Sequence, residues 1–91
     1  MDSARNTYTY ISGTSTNQVI HATGGGKLWA VICGDATSVV TIGDHPTTAT
    51  TNVVVKLNAI GGLTPIGGYK FENGITVTVA TAGDVTVITG P

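Results

Sequence analysis

The chain has 91 residues, a formal net charge of −1 and 10% charged residues, against about a quarter in an ordinary soluble domain. This length builds one small domain with a thin core, and the single cysteine, Cys33, excludes an internal disulfide. Its cations (Arg5, Lys27, Lys56 and Lys70) stand singly rather than as the basic patch a nucleic acid needs, and no apolar run is long enough for a membrane helix, so neither partner is expected.

Threonine occurs 17 times, valine 11 and isoleucine 8, so 36 of 91 residues are β-branched. Such side chains lose χ1 freedom in a helix and pack well on a pleated sheet, which makes the chain all-β. So few charges suit a surface that is partly covered by partners, and a small core gains from subunit contacts.

Residues 1–6 are polar and read as a flexible N-terminal arm, leaving residues 7–91 as the domain. Met1 to Asn6 lacks the basic start and apolar run of a secretory leader, so synthesis in a cytosol is expected. Thr7 to Ile11 alternates as a strand with Tyr8 and Tyr10 on one face and Ile11 on the other. Ser12 to Thr16 is a polar turn, and Asn17 to Thr23 a short strand ended by Gly24-Gly25-Gly26. Those glycines lack the Lys-Ser/Thr and the following helix of a phosphate-binding loop, so a tight reversal accounts for them.

Lys27 to Cys33 is almost continuously apolar, the pattern of a central strand covered on both sides. Trp29 is its bulkiest member, suited to the core or to a subunit interface, and Cys33 reads as a buried small hydrophobe. Ser38 to Ile42 is the next strand, stopped by Gly43-Asp44-His45-Pro46. Thr47 to Thr51 is a polar loop. Asn52 to Ala59 alternates, with Val53, Val55 and Leu57 on one face and Val54 and Lys56 on the other.

Gly61 to Gly68, holding Leu63, Pro65 and Ile66 among four glycines, reads as a long connecting loop. Tyr69 to Thr89 is expected to be a half-buried hairpin, in which Ile75, Val77 and Val79 alternate with threonines before a Thr81–Asp84 turn and a second strand through Val85 and Val87. The sum is seven or eight strands in a small two-sheet antiparallel β-sandwich. Strand spacing leaves jelly-roll, immunoglobulin-like and simpler Greek-key wiring open. The long connections at Thr47–Thr51 and Ile60–Gly68 favour strands that cross between sheets.

Little in the chain can do chemistry. Asp44 and His45 are adjacent in a turn, and His21 with His45 would give at most two metal ligands where a structural zinc site wants four. Asp35 and Asp84 fall in turns, where aspartate bonds the local backbone. No catalytic, cofactor or metal site is expected, and the chain is read as a non-enzyme.

Tyr69-Lys70-Phe71-Glu72-Asn73-Gly74-Ile75-Thr76-Val77 and Gly83-Asp84-Val85-Thr86-Val87-Ile88-Thr89, with the strands at Leu28–Cys33, Ser38–Ile42 and Val53–Leu57 before them, resemble a pattern of very small β-sandwich virion proteins of tailed bacteriophages. The likeness covers roughly residues 19–89 and departs at the end, where such chains often close with Tyr and this one has Thr89-Gly90-Pro91. It implies a structural protein of the virion, made in the host cytoplasm. The role implied first is a capsid decoration or cement protein that stabilises the head. It would work as a homo-oligomer, a trimer foremost, and contact the major capsid protein or other virion proteins. The alternative is a small tail or fibre module that binds a glycan or host receptor. The residues expected to make contacts are Tyr8, Tyr10, Trp29, Val54, Lys56, Leu63, Ile66 and Tyr69.

Overall fold

A computed structural model describes residues 6–91; of the expected arm, residues 1–5 lie outside the described residues, and Asn6 precedes the first strand. Eight strands follow in order: β1 Thr7–Ile11, β2 Ser15–His21, β3 Lys27–Cys33, β4 Val39–Gly43, β5 Val53–Asn58, β6 Gly62–Lys70, β7 Ile75–Thr81 and β8 Val85–Gly90. They form two four-stranded antiparallel sheets, β1-β8-β3-β6 (sheet I) and β2-β7-β4-β5 (sheet II). The all-β, two-sheet sandwich expected from composition is the observed fold. Its strand orders are those of a jelly roll, which settles the wiring that strand spacing left open.

Alternation builds the core. In β7, Ile75, Val77 and Val79 turn inward and are sealed from solvent, as are Val85 and Val87 of β8. Across sheet II the inner rows are Val79–Val40–Leu57 and Val77–Ile42–Val55; in sheet I, Val31 and Val87 stand opposite each other. Leu28, Cys33 and Phe71 complete one continuous cluster. Each such side chain stabilises the fold by about 1.5–3 kcal/mol when fully buried. Cys33 is a core residue, and burial pushes its thiol pKa up, which keeps it protonated and unreactive.

Three local expectations are corrected. The Tyr69–Thr89 segment is not a hairpin: β7 and β8 lie in different sheets, and Ala82–Asp84 carries the chain across the sandwich. Their shared alternation reflects a common inner core rather than mutual pairing. The supposed Gly61–Gly68 loop is mostly β6, the strand that closes one edge of sheet I. The Thr47–Thr51 connection does not cross between sheets, because β4 and β5 are neighbours in sheet II.

The glycines of β6 are used within the strand. Leu28 faces Tyr69 and Ala30 faces Pro65, so Ile66, Gly67 and Gly68 occupy the space opposite Trp29 alone. Gly67 and Gly68 take φ of 87° and 88°, open to glycine and costly for other residues. A Cβ on Gly68 would come within 2.8 Å of the Trp29 ring, and one on Gly90 within 3.0 Å of its Nε1. The indole thus lies over two glycines that flank it on β6 and β8. Period and glycine count predict a loop here because a bulge of this width looks the same in sequence.

Candidate interaction surface

The outer face of sheet I is the feature that stands out. Register places Tyr10, Thr86, Ile32 and Leu63 in one row across β1, β8, β3 and β6, and Tyr8, Ile88, Ala30 and Pro65 in the next. Tyr8 is 65% exposed, Tyr10 57%, Leu63 62% and Ile32 36%. Neither row contains a charged residue. Trp29 continues the face toward the Lys27 end, where the Lys27 ammonium sits 5.7 Å from the ring centroid in a cation–π contact. Its Nε1 is sealed from solvent without a hydrogen-bond partner among the described residues. At the other end Asp84 raises the Tyr10 phenol pKa, first as a hydrogen-bond acceptor and then by its charge, so the tyrosine is neutral at physiological pH.

The eight expected contact residues separate in space. Tyr8, Tyr10, Trp29 and Leu63 share this face. Val54 and Ile66 instead turn toward the interior and pack against the core cluster. Lys56 stands on the other sheet, opposite Thr41. The Tyr69 hydroxyl donates to Asp44 Oδ2 at 2.7 Å. Sequence reading missed Ile32, Pro65 and Ile88. Once β6 is recognised as a strand, Leu63 and Pro65 reveal themselves by period two; read as a loop, they carry no facing at all.

A dense polar constellation is built around Asp44, 3% exposed, at the start of the β4–β5 connection. Its carboxylate accepts from the Tyr69 hydroxyl and from the backbone N–H groups of Glu72 (2.9 Å), Asn73 (2.8 Å) and Gly74 (3.3 Å). Burial opposes ionisation, yet the four donors outweigh it and hold the carboxyl below its ordinary pKa. The reciprocal bond raises the Tyr69 phenol. His45 works beside it: Nδ1 accepts from the N–H groups of Thr47 and Thr48 at 3.1 Å, and its carbonyl accepts from the Thr76 hydroxyl at 2.7 Å. The Asp44 carboxylate and His45 Nδ1 are thus both engaged in holding turns. The sequence signal for this was the Gly43-Asp44-His45-Pro46 stop, which marks a turn and not its distant partner.

His21 has other partners. Its Nε2 is 2.8 Å from the Thr89 hydroxyl, and its ring stacks on Phe71 at 5.3 Å and 27°. These three residues line a cleft of about 260 Å³ at one end of the sandwich, whose lining among the described residues includes no carboxylate or thiol side chain. The rings of His21 and His45 bond different partners, and among the described residues no group of three or more His, Cys, Asp or Glu is placed to hold a metal. Among the same residues no helix is long and apolar enough to cross a membrane.

No protein-family model, curated protein or solved structure matches this chain.

Proposed function

We propose that this chain is a non-enzymatic structural protein that works by surface contact, in the manner of the capsid decoration and tail components of tailed bacteriophages. The observation that carries the reading is the uncharged outer face of sheet I, on which Tyr8, Tyr10, Ile32 and Leu63 hold large apolar side chains open to solvent. A patch of that kind on a small domain marks an interaction site. The jelly-roll wiring is one that capsid domains use, which adds an analogy of fold and nothing about this particular chain. Chain-wide shortage of charge points the same way, since a covered surface needs little solvation of its own.

In this reading the partners are further copies of the chain and the major capsid protein or another virion protein, and many weak contacts add through multivalency. Its place is the virion, reached after synthesis in the host cytoplasm. The test is immunogold electron microscopy with an antibody raised against the purified chain. Regular labelling of phage heads or tails is expected. Antigen found only free in the lysate, with particles unlabelled after mild disruption, would overturn the virion role.

A further inference from the structure

We infer that the outer face of sheet I is covered by a second copy of this chain, packed face to face about a two-fold axis that runs across the strands. The inference rests on the contact reading above and names the partner.

Size comes first. A wholly covered aromatic buries about 150–250 Å², so the exposed fractions of Tyr8, Tyr10, Leu63 and Ile32 leave on the order of 450 Å² open. Doubled across two copies this is roughly 900 Å², and Pro65, Thr86 and Trp29 at the margins bring it toward the roughly 1,200 Å² at the low end of stable interfaces. The face is that of a four-stranded sheet, and sheets pack on one another at about 10 Å with strands nearly aligned. Nothing in it selects a peptide or a small ligand by shape.

Charge then chooses the occupant and its direction. Lys27 and Lys70 are register partners at one end of the sheet, and Asp84 follows at the opposite end beside Tyr10. The two rows between them are neutral, so a second copy meets no buried charge. An axis across the strands lays the lysine end of one copy over the Asp84 end of the other. The same operation sets Tyr10 over the partner's Tyr8, Leu63 over the partner's Pro65, and Ile32 over the partner's Ala30, where a large side chain finds a small one. An axis along the strands would instead gather the lysines of both copies at one end. A single face also serves only one neighbour, which favours a two-fold pair over the three-fold ring that the resemblance implied.

Two measurements on the full chain test this. Light scattering at tens of micromolar is expected to give about twice the 9.2 kDa chain mass. Leu63→Asp should lower the mass to that of one chain and weaken association at least tenfold, with far-UV circular dichroism unchanged because Leu63 is on the surface, and with a melting temperature that no longer rises with protein concentration. A folded wild-type chain that stays monomeric, or a Leu63→Asp chain that stays associated, would overturn the inference. Zero-length carbodiimide cross-linking of mixed ordinary and ¹⁵N-labelled chains reads the axis. Isotopically mixed links from Lys27 or Lys70 to Asp84 support it, and mixed links from those lysines to Glu72 alone overturn it. A monomer that still decorates particles leaves the virion role standing, whereas a dimer absent from every particle removes that role and keeps the pair.

Discussion

The two sheets have matched interiors and unlike exteriors. Each contributes four strands, and each lines its inner side with sealed Val, Ile and Leu. Outside, the central row of sheet II is Thr41, Lys56 and Thr78, with the exposed valines Val19 and Val53 only at the outer strands of the next, while the corresponding row of sheet I is Tyr10, Thr86, Ile32 and Leu63. Water satisfies the first row and not the second. The difference teaches that a strand's inward residues make the fold, and its outward residues record whether a neighbour is meant to lie on it. In β3 the apolar run from Leu28 to Cys33 is the sequence of a strand covered twice, yet the single chain covers it once and leaves Ile32 open.

The likeness of the interiors can be broken most forcefully. Leu28→Ala in sheet I and Ile42→Ala in sheet II each remove a side chain with no exposure, and each should cost about 2–5 kcal/mol in urea unfolding. A cost confined to one sheet would mean that the cores are not shared. Asp44→Ala comes next, because it strands four donors at the end where the β4–β5 connection meets the β6–β7 turn; a loss of about 3 kcal/mol is expected. The pH dependence has a definite sign. The Asp44 carboxyl is held below its ordinary pKa in the fold, so its contribution is whole above the unfolded value of about 3.9 and drains away as pH falls through the lower folded value. Acid titration of the wild type and of Asp44→Asn should therefore converge in stability at low pH, and a constant gap between them would refute the assignment.

Smaller effects sharpen the contrast outside. Thr41→Asp on sheet II should change stability by less than about 0.5 kcal/mol and leave association untouched, unlike Leu63→Asp on sheet I. An equal response of the two in light scattering would erase the distinction between the faces. Opposite in sign is Ala82→Gly, in the connection from sheet II to sheet I. Ala82 holds φ at 60°, a left-handed conformation that strains any residue with a Cβ. Glycine there should match or raise the melting temperature, with a gain of up to about 1 kcal/mol at most after its entropic cost.

What was legible in the sequence follows from which signals are local. Ile75, Val77 and Val79 announce a half-buried strand by period two, and Tyr8 and Tyr10 announce a shared outer face. Partner choice is not local. The same alternation that places β7 in sheet II would have served a hairpin, and only the left-handed Ala82 and Asp84 around a buried Gly83 turn the chain across. Glycine hid β6, since Gly67 and Gly68 look like loop residues until Trp29 is seen lying beside them. Asp44 was hidden for the opposite reason. Its identity as a turn residue was plain, but its donors come from 25 to 30 residues away.

The pairing of Thr7 with Thr89 has a consequence for how the molecule is born. The first strand to leave a ribosome is closed by the eighth, so the edge of sheet I waits until nearly the whole domain has been translated. At about 5–20 residues per second that interval lasts several seconds. During it the tyrosines of β1 have no sheet to rest on.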